Sequence, residues 1–416
     1  MKIGSYNLNQ LKEKYGTPLY LYDETIILKN INIFKNNFKS HHFQTEIIYA
    51  GKAFLTKYMA KLINEHNLSL DCVSRGEVFT ALSSNFNPNK IVLHGNNKTE
   101  FELTEAINQK IGMIIIDNYY EANLLLNLNN QNFIPKVMLR INLAFDVNTH
   151  KYIKTSIEDS KFGVPLNSET ISLIKKLKEA KNLNFVGLHS HIGSQILDED
   201  YFYQHAKLML KLYYDLKVNH NIILKELNLG GGFGIKYTKL DNELNLKELL
   251  NKLIKTIEIE SKDLNINLTK VSLEPGRSII GNAGYTLYTI NQIKKTPHLN
   301  YLFVDGSMND NLRTALYQAK YDALIVNKEE KPHHTLYKVA GKACESGDII
   351  IDEIYLPEAL PDDLLLVKST GAYHYSMASN YNRLLIPAVI FINNDQLKLV
   401  VRKQTLEDLV RYDEEI

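Results

Sequence analysis

Lys52 closes the run Tyr49-Ala50-Gly51-Lys52-Ala53, and a lysine held at the end of a strand can form a Schiff base when its surroundings lower its pKa. Taken alone, a lysine is usually a solvated surface residue. The run Leu229-Gly230-Gly231-Gly232-Phe233-Gly234 and the segment Glu274-Pro275-Gly276-Arg277 offer backbone that can close on a phosphate, because glycine places no side chain in the way. The alternative for the glycines is a tight turn with close packing. A carboxylate such as Glu274 beside a pyridine nitrogen favours its protonated form and makes the ring an electron sink; in isolation Glu274 could simply pair with Arg277. His189 and His191, two apart, would face one side of an extended strand, as a metal pair or as an aromatic surface for a flat cofactor. Metal ligation needs a third or fourth donor, and the sequence offers none at a familiar spacing, so no metal is expected. A lysine, a phosphate loop and a carboxylate together point to pyridoxal phosphate.

Such groups must be brought together by the elements that carry them. Eight short apolar runs alternate with helical stretches: Ile47–Tyr49, Leu68–Leu70, Ile91–Leu93, Met113–Ile116, Val137–Leu139, Phe185–Leu188, Leu227–Leu229 and Val271–Leu273. After them come Lys52, Asp71, His94, Asp117, Arg140, His189 with His191, the glycine run and Glu274. Eight such units predict a TIM-like (β/α)8 barrel of the α/β class, whose working residues gather at the carboxyl ends of its strands. Leu246, Leu249, Leu250, Leu253, Ile254 and Ile257 line one helix face. Asn167 or Ser168 could cap a helix that turns Ile171, Ile174 and Leu177 inward.

After about Arg277 the pattern becomes strand-turn-strand: 285–293, 301–304, 348–354, 364–368, 385–392 and 397–401, with a hairpin turn at Asn393-Asn394-Asp395. The expected organisation is a barrel over 26–278 and a mostly β domain from 1–25 and 279–416, the first part supplying the β-rich Thr17–Tyr22.

Composition permits this architecture. The 416 residues are 44% apolar, and 48 basic against 47 acidic residues give a net charge of +1, which provides no electrostatic footprint for nucleic acid or an anionic membrane. Neither a signal-peptide pattern nor a bilayer-length apolar stretch occurs, and the two cysteines, Cys72 and Cys344, do not make a disulfide framework. A cytoplasmic protein is expected.

The longer motifs carry a family resemblance. Tyr49–Ala53, His94-Gly95-Asn96-Asn97-Lys98-Thr99, Asp159-Ser160-Lys161-Phe162-Gly163, His189-Ser190-His191-Ile192-Gly193-Ser194-Gln195, Glu274–Arg277, Cys344-Glu345-Ser346-Gly347-Asp348, and Gly371-Ala372-Tyr373 followed by Ser376–Asn382 make the chain resemble, nearly end to end, the fold-type III pyridoxal-phosphate-dependent decarboxylases. The resemblance is to their diaminopimelate decarboxylase branch, and implies an alanine racemase-like arrangement and conversion of meso-2,6-diaminopimelate to L-lysine and CO2, the last step of lysine synthesis.

The resemblance also implies roles. Lys52 would hold the cofactor, His191 would stack on its ring, Glu274 would meet the pyridine nitrogen, and Asp71 would belong to the cofactor site. Ser194, Gly230, Gly231, Gly232, Gly276 and Arg277 would take the phosphate. Arg277, Arg313 and Tyr317 would grip the substrate's distal carboxylate and Glu345 its distal ammonium. Cys344 would protonate the carbon that loses CO2. Tyr373 would touch cofactor and substrate, and both Cys344 and Tyr373 would come from the partner in a homodimer with shared sites. Arg313 and Tyr317, four apart, would share a helix face.

Two places depart from the family's pattern: Leu143-Ala144, where proline and glycine are common, and Lys342-Ala343, where a proline is frequent. Decarboxylases of ornithine, arginine or carboxynorspermidine would share Lys52, Glu274 and the glycine run. A non-catalytic cofactor-binding regulator would have no reason to keep Cys344, Glu345 and Tyr373 together. A metal-dependent barrel hydrolase built on His189 and His191 is the remaining alternative.

Overall fold

The computed structural model describes residues 1–128, 133–143 and 160–415. Ala144 and Asp159, which carry parts of two motifs named above, lie outside them. The chain forms two compact units, one of residues 31–234 and 244–276, the other of 1–30, 235–243 and 277–416.

The first unit is the barrel. Strands β1 (Gln44–Ala50), β2 (Ser69–Cys72), β3 (Ile91–Leu93), β4 (Met113–Ile116), β5 (Lys136–Asn142), β6 (Asn184–His189), β7 (Glu226–Asn228) and β8 (Lys270–Leu273) pair in parallel in chain order, and β8 returns to β1 to close the ring. The β-branched runs suit strands buried on both faces. Register aligns Ala50 with Asp71, and His189 with both Arg140 and Asn228, so chemically active residues from different strands finish at one level.

Ile48, Val92, Met113, Ile115 and Met138 fill the interior. An ionic layer lies near the strands' starts, where Lys270 stands 3.2 Å from Glu46 and 3.6 Å from Glu226, and Lys136 stands 3.5 Å from Glu226.

The helices follow the sequence closely. Leu246–Asp263 buries Leu249, Leu250, Leu253, Ile254 and Ile257, and Asn167 caps Ser168–Glu179 by accepting from the Thr170 amide. In that helix Leu173 takes an inner position and Ile171 is half-buried, a shift of register within one turn. Among the described residues no helix is long and apolar enough to cross a membrane.

The second unit is mostly β. Strand Leu19–Asp23 lies between Gly284–Lys295, antiparallel, and Ala388–Asn393, parallel, which makes the amino-terminal segment structural to this unit. The hairpin Ala388–Asn393 and Gln396–Val401 turns at the expected asparagines. Strands Ala323–Ile325 and Thr335–Ala340 were not expected from the sequence. Residues 26–30 and 235–243 also belong here, so the expected continuous run 26–278 is interrupted just after the glycine turn.

Gly187 of β6 sits so close to β7 that a Cβ would lie 1.7 Å from the Glu226 carbonyl oxygen. Gly187→Ala must push the two strands apart, and such overpacking costs about 1–3 kcal/mol. Thermal denaturation should show a lower Tm, and an unchanged Tm would mean the strands part freely.

Candidate active site

Glu274, the first residue beyond β8, is buried in the barrel unit. Its Oε1 accepts from Asn228 Nδ2 at 2.7 Å and lies 2.8 Å from His94 Nε2, and its Oε2 lies 3.1 Å from His189 Nε2. Burial opposes a charge here, but the two imidazoles outweigh it and hold the carboxyl well below the usual carboxylate range. Burial opposes charge on His94 as well, yet Asp71 and Glu274 raise its pKa. His189 is pushed down by burial to about 4 in spite of Glu274. Charge is thus favoured on His94 over His189, and a neutral His189 protonated at Nε2 can donate to Glu274. His189 Nδ1 and Asp71 Oδ1 are buried without a hydrogen-bond partner among the described residues.

Donor atoms of His94, His189 and Glu274 lie within 4.8 Å of one another. This is the third donor that the sequence did not reveal, but it joins His189 to His94 and not to His191. Strand β6 ends at His189, so the two histidines do not share a strand face. The His191 ring turns to the glycine run, where its Nδ1 accepts from the Gly231 amide at 3.1 Å. Burial and the Lys52 charge keep His191 well below the usual histidine pKa.

Lys52 lies in a short 3-10 turn, Gly51–Ala53, directly after β1, with its side chain exposed. Its charge is felt by both Asp71 and His191. Gly276 packs on the same turn, where a Cβ would come within 3.0 Å of Ala50 and 3.1 Å of Ala53.

The glycine run works differently from expectation. The Gly230 amide donates to Asn228 Oδ1 at 2.9 Å and the Gly231 amide to His191, so these two N–H groups shape the turn and are already spent. Gly230 and Gly232 have φ of 64° and 105°, and a Cβ on Gly231 would lie 2.1 Å from the Glu274 carbonyl; the backbone needs glycine here. Of the three amides, only that of Gly232 takes no part in these two bonds. Ser194 is exposed in the neighbouring loop.

In the β unit, Arg277 and Arg313 are both buried. The Tyr373 ring lies between them, 4.9 Å from one guanidinium and 5.3 Å from the other. Tyr373 holds φ at 65°, a left-handed conformation uncommon for a bulky side chain. Tyr373, which the resemblance assigned to a partner subunit, packs here against the arginines of its own chain. Tyr317 lies one helical turn from Arg313, whose guanidinium stands 5.1 Å from its ring. Tyr237 Oη accepts from Arg277, and Tyr321 Oη from Arg313 Nε at 3.2 Å. Sequence reasoning passed over both tyrosines because nothing in their local pattern distinguishes them from core residues.

Cys344 and Glu345 form a separate exposed group in this unit. The Cys344 amide donates to Asn382 Oδ1 at 2.7 Å, and Glu345 accepts from the Gly347 amide and Ser346 and, at 3.4 Å, from Tyr381. Asp348 ties down the loop by accepting from the Ala343 and Met308 amides at 2.7 and 2.6 Å.

Residues 25–281 match the family described as pyridoxal-dependent decarboxylase, pyridoxal binding domain. The diaminopimelate decarboxylase of Bacillus subtilis is 43% identical over 99% of this chain and 95% of its own, and that of Staphylococcus aureus is 41% identical over 97% and 95%. The crystal structure of diaminopimelate decarboxylase from M. jannaschii in complex with L-lysine superposes with a TM-score of 0.92 at 31% identity, covering 99% of this chain and 95% of that one.

His374 is buried beside Tyr321 and is held at about 3 by burial and by Arg313. It stays neutral in the folded protein, whereas the unfolded chain takes up a proton near the ordinary value of 6.5. Its contribution is therefore complete above pH 6.5 and falls as pH drops toward 3, by at most about 1.4 kcal/mol per pH unit. Urea denaturation at a series of pH values should show a shallower acid decline for His374→Asn than for the wild type, and parallel curves would overturn the assignment.

Proposed function

The chain belongs to the pyridoxal-dependent decarboxylases, in their diaminopimelate branch, and from that premise we propose how its residues divide the work. The enzyme removes CO2 from diaminopimelate and leaves lysine. Two observations carry the proposed division: in the barrel unit, the buried Glu274 held below the usual carboxylate range by His94 and His189; and, in the β unit, two buried arginines held in aromatic surroundings.

Pyridoxal phosphate fits the barrel's donor set. The orphaned Asp71 Oδ1 and His189 Nδ1 mark a place built for a polar guest, Lys52 can hold its aldehyde, and Gly232, Ser194, Gly276 and Arg277 can take its phosphate. When bound, this cofactor supplies the electron sink for the bond that breaks as CO2 leaves. Glu274, kept anionic by His94 and His189, holds positive charge on the pyridine nitrogen. His191, fixed by the Gly231 amide, orients the ring plane.

Arg277 and Arg313 bind the substrate's distal carboxylate through their planar forks, with Tyr317 at the edge, and Tyr373 keeps the two guanidinia in place. Glu345 takes the distal ammonium, and Cys344 delivers the proton to the carbon that has lost CO2. Among the described residues, Arg313 has no carboxylate within salt-bridge distance, so its counter-charge falls to the ligand. A substrate lacking the distal carboxylate would leave that charge unmatched, which favours diaminopimelate, in its meso form, over ornithine or arginine.

We place the enzyme in the cytoplasm, where its two free cysteines stay reduced, and assign it as a homodimer in which Cys344 and Glu345 serve the partner's site. Their distinct, exposed grouping supports that reading.

Purified protein with pyridoxal phosphate should release CO2 from meso-diaminopimelate and not from ornithine, arginine or carboxynorspermidine. Lys52→Ala should abolish release, and substantial turnover by that variant without added amine would refute the role of Lys52. Lys52→Ala and Cys344→Ala chains mixed under conditions of subunit exchange should regain about a quarter of wild-type activity, since a symmetric dimer with shared sites rebuilds one intact site in each mixed pair. No recovery, with exchange verified, would place both groups in one chain's site.

A further inference from the structure

Arg277 and Arg313 are gripped at specific nitrogens by two phenols that the roles above do not use. Tyr237 lies in the segment 235–243, and Asp241 Oδ2 pins it there by accepting from the Tyr237 and Thr238 amides at 2.9 and 2.8 Å. Its hydroxyl accepts from Arg277 Nη1. Tyr321 is buried, packed edge-on between Tyr237 at 5.5 Å and His374 at 5.3 Å, and its hydroxyl accepts from Arg313 Nε.

Two consequences follow from the bonding capacities of these groups. With Nε engaged, Arg313 keeps its two terminal nitrogens for a ligand, which selects end-on capture of a carboxylate. Each phenol accepts from a guanidinium and still has its own proton to give, and among the described residues neither hydroxyl donates a hydrogen bond. Tyr321 is buried and Tyr237 half-buried, and a hydroxyl shielded from water without an acceptor is costly. An anion held by the arginines would supply one.

We propose that Tyr237 and Tyr321 are positioning residues that aim Arg277 and Arg313, and give their own hydroxyl protons, toward the one carboxylate that the substrate keeps through the reaction. The proposal rests on the reading of Arg277 and Arg313 given above. It adds that specificity is set by a mixed arginine–phenol cage, built partly by the segment that interrupts the barrel sequence.

The test uses the holoenzyme and two competitive ligands of equal chain length, L-lysine, which retains that carboxylate, and cadaverine, which has none. Tyr237→Phe and Tyr321→Phe keep the rings and remove only the hydroxyls. Each should weaken L-lysine inhibition about tenfold, the scale of a lost hydrogen bond to a charged group, while leaving cadaverine inhibition as it was. KM for diaminopimelate should rise by more than kcat falls. Equal weakening of both ligands would reveal a general structural role and overturn the proposal, as would no change for either. Wild-type turnover of diaminopimelate is measured alongside: its failure would count against the assigned reaction, whereas an active wild type matched by both variants would count only against the phenols.

Discussion

A carboxylate must stay charged inside the barrel, and the arrangement around it follows from that demand. Glu274 is buried with two imidazoles and an amide on its oxygens, and burial alone would drive it neutral. His94 can carry the compensating proton because Asp71, 4.0 Å away, lowers the cost of a cation at that depth. His189 gives a hydrogen bond without a charge. The groups come from the ends of β2, β3, β6, β7 and β8, and only a closed parallel barrel in register brings five strand ends so near one another.

The arginines pose the opposite problem. They are buried cations surrounded by Tyr237, Tyr317, Tyr321 and Tyr373. Aromatic faces and phenol oxygens make a guanidinium tolerable without cancelling its charge, which leaves the field available to an incoming anion. The barrel fixes a buried negative charge among imidazoles, while the β unit holds two buried positive charges among aromatic rings and phenol oxygens.

Most of the barrel was legible because period-two and apolar runs locate strands locally, and Lys52, Asp71, His94 and Glu274 announce themselves by following those runs. Legibility failed where function depends on contacts distant in sequence. His189 and His191 look like a strand-face pair, but β6 stops at His189 and the next turn sends His191 to Gly231. The glycine run looks like three free amides, yet two are committed within the protein. Residues 235–243 carry no composition change to show that they leave the barrel unit, and Tyr237 was hidden with them. The contacts of Tyr373 with Arg277 and Arg313 were not legible either, because a left-handed backbone at a tyrosine has no sequence signature.

The loop bearing Cys344 shows how a departure from a family pattern can be absorbed by new bonding. In Lys342-Ala343, the pair before this cysteine where a proline is frequent, the Lys342 amide donates to the Gly306 carbonyl and the Ala343 amide to Asp348 Oδ2, while Asp348 Oδ1 accepts from Met308. A proline restricts a loop through its ring and a hydrogen-bonded alanine restricts it through a partner, so the two solutions can deliver similar order by different means. They differ in what they depend on. Burial raises the Asp348 pKa above the ordinary carboxyl value while the Met308 and Ala343 amides oppose that rise, and protonation would weaken both bonds. Loop order at Cys344 and Glu345 is thus coupled to the ionisation of one carboxylate.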